Sequence, residues 1–91
     1  MMKAWEFLSK RGVWCKGNYA VDKNGIAINP LDNLAVKFCV LGAICKCYPE
    51  EKEFVIVRDM LQLVKGKISD WNDDPKRKKY QVVELLKKLD I

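Results

Sequence analysis

Histidine is missing from all 91 residues, and that absence excludes a large share of enzyme chemistry. Cys-His and Ser-His nucleophilic arrangements need an imidazole titrating near neutral pH as general base, so neither can be assembled. Zinc sites of the mixed Cys/His type lose a ligand class as well. Proline and glycine are scarce, at three and five, and they are scattered, with no repeat and no low-complexity run to divide the chain into folding units. One domain over residues 1–91, built on one hydrophobic core, is the expectation. Long apolar runs are absent too: Val40–Cys45 falls far short of the ~20 residues that a membrane span needs. The opening Met-Met-Lys-Ala-Trp-Glu has neither the apolar centre nor the cleavage site of a signal peptide. A cytoplasmic location is expected.

Four cysteines are present, at 15, 39, 45 and 47, and a reducing compartment would keep them as free thiols. Cys45 and Cys47, two apart on a helix, point about 200° apart around its axis and cannot share one ion there. No metal site and no cofactor are expected; the alternative role for these thiols is that of small buried hydrophobes. A carboxylate pair such as Asp70 with Asp73 or Asp74 remains the one arrangement with acid/base potential, but an Asp before Pro reads first as a helix cap.

Alternation of apolar and polar positions predicts an α+β fold of four helices and one β-hairpin. Met1, Ala4, Trp5 and Leu8 form the apolar stripe of a first helix, which Gly12 ends as a left-handed cap. Asn24-Gly25 between Asn18–Val21 and Ile26–Asn29 predicts a hairpin that pairs Val21 with Ile28 and leaves Tyr19 on the same apolar face. Asp32 or Asn33 caps a second helix running from Leu34 to Cys47, apolar nearly all round and therefore central. Gly42 in its middle, flanked by Ala43, costs about 1 kcal/mol against Ala and needs close packing or a ligand contact to justify it. Pro49, followed by Glu50, Glu51 and Glu53, starts a third helix with the stripe Phe54, Val57, Leu61 and Val64, which Gly66 ends. Asp74 and Pro75 open a fourth helix carrying Val82, Val83, Leu86 and Leu89 on one face.

Charge is concentrated at this last helix. Seventeen Lys and Arg face twelve acids over the whole chain, a net +5, and residues 75–91 hold six bases against Glu84 and Asp90. Lys76, Arg77, Lys78 and Lys79 in a helical first turn would oppose the helix dipole by roughly 0.3–1 kcal/mol each. They form a candidate basic surface for phosphates, although consecutive positions fan around a helix and three acids stand beside them. An acidic protein surface would suit the same cations.

Three segments in order carry a resemblance: Gly12-Val-Trp-Cys-Lys-Gly, then Ala35-Val-Lys-Phe-Cys-Val-Leu-Gly-Ala-Ile, then Ile68-Ser-Asp-Trp-Asn-Asp-Asp-Pro. The chain resembles a family of small uncharacterised proteins of bacteriophages and bacteria, similar to it in a G-x-W-C-x-G segment, a C-x-x-G-A helix and a W-N-D turn over residues 12–89. The resemblance implies an intracellular, phage-linked setting and marks Trp14, Cys15, Cys39, Gly42, Ala43, Trp71, Asn72 and Asp73; it carries over no activity. Two readings of these positions stay open. In one, Trp14 and Trp71 are core residues, Asn72 and Asp73 bond local amides, and Cys15 and Cys39 fill small gaps. In the other, Trp14, Cys15, Cys39, Trp71, Asn72 and Asp73 form a pocket over the central helix for a nucleotide-like ligand or a partner's side chain. The function expected is that of a non-enzymatic binding module acting on a host or defence protein in the host cytoplasm. The alternatives are nucleic-acid binding through the basic helix and a cysteine-dependent enzyme using Cys15 or Cys39.

Overall fold

In the computed structural model, which describes residues 2–91, the order is α1 (Ala4–Ser9), β1 (Ala20–Val21), β2 (Lys37–Phe38), α2 (Val40–Cys47), α3 (Glu51–Lys65), α4 (Ile68–Asp73) and α5 (Lys79–Leu89). Five helices and a two-stranded antiparallel ribbon make the fold α+β. Ala4 and Leu8 on α1, Val40, Ala43 and Ile44 on α2, Leu61 on α3, Ile68 on α4, and Val82 and Leu86 on α5 are buried together. Each helix thus contributes one apolar stripe to a single core. Met1, assigned by spacing to the α1 stripe, lies outside the described residues. The chain's two ends meet: the Trp5 amide donates to the Ile91 carbonyl at 3.1 Å, and the Lys3 ammonium pairs with Asp90 at 2.7 Å. Asp90 itself is left-handed, at φ 59°, and closes α5.

The turn expected at Asn24-Gly25 forms. Asp22 Oδ1 accepts from the amides of Asn24 at 2.8 Å and Ile26 at 3.0 Å, and Gly25 takes φ +79°. The pairing differs from the expected hairpin, because Val21 bridges to Ala27 instead of Ile28, and only as an isolated bridge. The ribbon's true partner comes from further along the chain, with Ala20 opposite Phe38 and Val21 opposite Lys37. Residues 34–39 are consequently not helical, which corrects the expected second helix. An Asp32 side-chain turn, with Oδ1 accepting from the Leu34 amide at 2.8 Å, stops the chain there. The amides of Val36, Phe38 and Cys39 then donate across to the carbonyls of Val21, Val13 and Tyr19. Long-range pairing of a β-branched and aromatic stretch outweighs its helical periodicity.

α2 starts later, at Val40, capped by Cys39. That residue is extended (φ −79°, ψ 179°), and its Sγ accepts from the Gly42 amide at 3.4 Å, a thiol filling the position usually given to Ser or Thr. Gly42 is where the ribbon touches the helix: a Cβ built there would lie 1.7 Å from the Tyr19 carbonyl oxygen. Close packing, as one of the two expectations held, accounts for this glycine.

The W-N-D segment, expected to be a turn outside the fourth helix, is itself helical. α4 is stopped at its C-terminal end by Asp74-Pro75, since the residue before proline is pushed out of the α region, here to φ −51°, ψ 129°. Asp74 is therefore not the N-cap of the terminal helix. Its Oδ1 accepts from the Lys76 amide at 2.8 Å and its carbonyl from the Arg77 amide at 2.9 Å, closing the turn between two helices. α5 begins only at Lys79, with Gln81 Oε1 accepting from the Lys78 amide at 2.9 Å. Lys76 and Arg77 lie in the turn and Lys78 at the N-cap, so the expected conflict of four cations with the helix dipole shrinks to Lys79.

Candidate functional site

The six pocket candidates fall into three groups around α4. Asn72 is the hub of the first. It is completely buried, on the same face of α4 as Ile68 one turn earlier. Its Oδ1 accepts from the Trp14 indole Nε1–H at 2.8 Å and from the Val40 amide at 3.1 Å. Its Nδ2 donates to the Cys15 carbonyl at 3.2 Å and to Asp73 Oδ1 at 2.9 Å. Two donors and two lone pairs are the whole hydrogen-bonding capacity of an amide side chain, and the protein uses all of it. Asn72 thereby fastens the 13–17 loop, the first amide of α2 and α4 to one another. Trp14 and the Cys15 backbone belong to the same brace. Lys16 reinforces it, donating from Nζ to the Asp74 carbonyl at 2.7 Å with the ammonium 5.5 Å from the centre of the Trp14 ring.

Asp73 and Cys39 make the second group, lining a cleft of about 550 Å³ between the ribbon and α4. Its lining comes from Gly17, Asn18, Tyr19 and Ala20, from Ala27, Ile28 and Asn29, whose Ile28 amide donates to the Ala20 carbonyl at 3.0 Å, and from Ser69 four residues before Asp73 on α4. Asp73 is exposed; its Oδ1 accepts from the Gly17 amide at 3.0 Å as well as from Asn72, while Oδ2 takes no hydrogen bond from the described residues. Tyr19 lines the same cleft and is 60% exposed. Sequence reasoning missed Ser69, Asn18 and Asn29. Ser69 was legible through its i, i+4 relation to Asp73, had the segment been read as a helix; Asn29 depends on the fold of the 22–29 turn.

Trp71 stands alone in the third group, since two residues from Asp73 is about 200° around a helix. The Arg77 guanidinium lies 4.1 Å from its ring centre and Nε donates to the Trp71 carbonyl at 2.9 Å; the Lys65 ammonium lies 5.9 Å from the same ring. Among the basic residues, Arg77 is thus engaged inside the molecule, and Lys79 donates to the Lys10 carbonyl. Lys76 and Lys78 are exposed.

A family model matches residues 2–89 of the chain. The chain belongs to DUF6197, a family of unknown function. Among curated proteins and solved structures, nothing matches it.

The thiols of this DUF6197 chain are all free, and their environment governs their chemistry. Burial pushes the Cys15 thiol up to about 11, with Cys39 and Asp73 adding to the shift and Lys37 opposing it. Cys39 is raised as well, mainly by burial, against the amides of Gly42 and Leu41 that favour the thiolate. Burial likewise takes Cys47 up to about 11. Among the described residues no group of three or more Cys, Asp or Glu side chains converges as metal ligands. A thiol near 11 instead of 9 holds about 100-fold less thiolate at pH 8, so alkylation of Cys15 by iodoacetamide should be about 100-fold slower than in the urea-unfolded chain. Per-residue mass spectrometry reads this directly; labelling at the unfolded rate would mean an activated thiol. The linkage has a definite sign. The unfolded chain loses thiol protons from about pH 9 while the folded one keeps them, so stability is intact below pH 9 and falls as the pH rises towards 11.

Proposed function

We propose that this chain is a non-enzymatic binding module, and that its cleft between the ribbon and α4 receives a hydrogen-bond-donating group of a partner protein. The observation that carries this reading is Asp73: one carboxylate oxygen is fixed by the Gly17 amide and the Asn72 side chain, and the other takes no bond from the described residues, at a cleft lined by Tyr19, Ala20 and Ile28. An anchored acceptor beside apolar and aromatic surface is the composition of a recognition site. The raised thiols of Cys15 and Cys39 support the absence of nucleophilic catalysis, because the thiolate is the reactive form. The motif resemblance to small phage and bacterial proteins supports the setting: a phage-encoded protein in the host cytoplasm acting on a host or defence protein by occupying its surface. No helix is long and apolar enough to cross a membrane among the described residues.

The test is capture of partners from nuclease-treated host extract by tagged wild-type chain and by Asp73→Ala. Loss of the captured protein is expected with the fold kept, at a stability cost of roughly 1–2 kcal/mol for the acceptor withdrawn from the Asn72 side chain and the Gly17 amide. Equal capture by both chains would move the site elsewhere. A nucleotide-like ligand in place of a protein would reveal itself as a small molecule that co-purifies with wild type alone.

One observation favours nucleic acid as a second reading. The contacts from Lys16 to the Asp74 carbonyl and from Lys79 to the Lys10 carbonyl bring the 10–16 loop, with Lys10, Arg11 and Lys16, against the basic turn at 76–79. Charge from two distant parts of the sequence gathers on one face. Binding through it would weaken steeply with salt, with a slope of roughly one counterion per phosphate contacted.

A further inference from the structure

On the side of β1 away from β2, the sheet ends in an edge that nothing pairs. Residues 26–28 lie beside β1 through two hydrogen bonds, from the Asp22 amide to the Ile26 carbonyl at 2.9 Å and from the Ile28 amide to the Ala20 carbonyl at 3.0 Å. Val21 and Ala27 are the pair bridged between them. Successive residues of an extended chain turn their backbone groups to opposite sides, so the N–H and C=O of Ala27 and the N–H of Asn29 face away from β1. None of these three groups makes a hydrogen bond among the described residues, and Ala27 and Asn29 are exposed. We infer that an extended segment of the partner protein completes this edge as a further strand, with a Lys or Arg side chain that pairs with Asp73; the inference rests on the cleft being the binding site and names what fills it.

The backbone sets the kind of chain that fits. Amides and carbonyls left unpaired at strand spacing are matched by another strand, and a segment running in either direction uses the same three groups. Ile26-Ala-Ile-Asn carries no charge to repel such a segment, and the proline that stops pairing, Pro30, comes only after it. Ile26 on this edge is 62% exposed and Tyr19 in the cleft 60%, apolar area for the side chains of an added strand. The edge is short, so backbone pairing alone is weak and side-chain contacts must select the partner.

Charge supplies that selection. Ala27, Ile28 and Asn29 line the cleft together with Ser69 and Asp73 of α4, and Asp73 is the one charged side chain among its lining residues. Its Oδ1 is held by the Gly17 amide and the Asn72 side chain, and its Oδ2 takes no bond from the described residues. A side chain that enters the cleft from a strand on the edge therefore meets a single anchored carboxylate. Lys or Arg answers it with a charge-assisted hydrogen bond, whereas Asp or Glu is repelled. A second copy of this edge does not answer it, because Ile26-Ala-Ile-Asn offers no cation.

The test is an NMR titration of the isotope-labelled full chain, under reducing conditions, with the blocked heptapeptide acetyl-Ser-Thr-Val-Lys-Val-Thr-Ser-amide. The Ala27 and Asn29 amide signals should move downfield, and their hydrogen exchange should slow. Glutamate in place of the peptide's lysine should weaken binding at least about tenfold. Methylation of the peptide's central Val-Lys-Val amides should abolish binding without any change to the protein. Ala27→Pro, which removes only an outward N–H and is tolerated at a sheet edge, should keep the wild-type circular dichroism and also lose the peptide. No binding up to about 5 mM peptide, the weak end of measurable affinity, overturns the inference. So do binding that leaves the Ala27 and Asn29 signals in place and shifts of those signals with chain concentration alone, which would give the edge to a second copy. Capture from host extract separates strand from cleft: a protein lost by Asp73→Ala but kept by Ala27→Pro leaves the cleft standing and removes the strand, whereas capture by both variants removes the two together.

Discussion

Gly42→Ala is expected to lose about 3 kcal/mol or more of stability, the upper range for overpacking, because the new methyl meets backbone instead of a movable side chain. The Cβ position is 1.7 Å from the Tyr19 carbonyl oxygen and 2.7 Å from its carbonyl carbon, and both neighbours are fixed. Tyr19 accepts from the Cys39 amide at 3.2 Å, so the ribbon cannot withdraw from the helix without breaking the bond that leads into the α2 cap. Nor can α2 withdraw, since Val40, Ala43 and Ile44 on it are fully buried. For a domain of this size each kcal/mol corresponds to roughly 4–8 °C, so a fall in melting temperature of roughly 12 °C or more is expected in a calorimetric scan. Ala at the neighbouring exposed position, Lys46→Ala, should change it by no more than about 0.5 kcal/mol equivalent. A Gly42→Ala chain that melts with wild type would mean that the ribbon does not rest on the helix.

Asn72→Ala comes second in size, for a different physical reason. The substitution opens little volume but strands the Trp14 indole N–H, the Val40 amide and the Cys15 carbonyl, which lose their partners at 2.8, 3.1 and 3.2 Å. Each buried group left unsatisfied costs about 1–3 kcal/mol. Because the three belong to one network their costs do not simply add, and a loss on the order of 3–5 kcal/mol is expected in urea unfolding. That equals a core truncation such as Leu86→Ala, at about 2–5 kcal/mol. Asp73→Ala takes one acceptor from the Asn72 Nδ2 group and from the Gly17 amide, but at an exposed position where water can replace the carboxylate, so a smaller loss of roughly 1–2 kcal/mol is expected. Similar losses at 72 and 73 would contradict the separation of brace from cleft.

The parts of this fold legible in the sequence are those decided locally. Gly66 ends α3 at φ +70°, the Asp22–Gly25 turn forms where a left-handed glycine signals it, and Ala4/Leu8, Val57/Leu61 and Val82/Leu86 are buried as their periodicity implies, whereas of the other two members of the expected α3 stripe Phe54 is half-buried and Val64 is 49% exposed. What was illegible is decided at long range. Residues 36–38 have a helical pattern and become ribbon because their partners, Val21 and Val13, lie 15 and 25 positions earlier. Asp74-Pro75 satisfies the rules for a helix start and for a helix stop alike, and only the burial of Ile68 and Asn72 under α2 and α3 makes it a stop. The candidate site divides the same way. Trp14, Cys15, Asn72 and Asp73 do converge, but whether an asparagine serves the fold or a ligand depends on how many of its hydrogen bonds the chain itself takes. Spacing cannot count them.

The hydrogen bond from Trp14 to Asn72 is the point where loop, central helix and α4 are joined, and exchange of the indole N–H protons tests it without any substitution. Trp14 Nε1–H donates at 2.8 Å to a fully buried acceptor, whereas the indole N–H groups of Trp5 and Trp71 make no hydrogen bond among the described residues. In deuterium exchange followed by NMR, the Trp14 indole proton should persist on the timescale of the core amides, opening only with global unfolding, and those of Trp5 and Trp71 should vanish at least about tenfold sooner. Exchange of Trp14 as fast as the other two would show that the brace does not form.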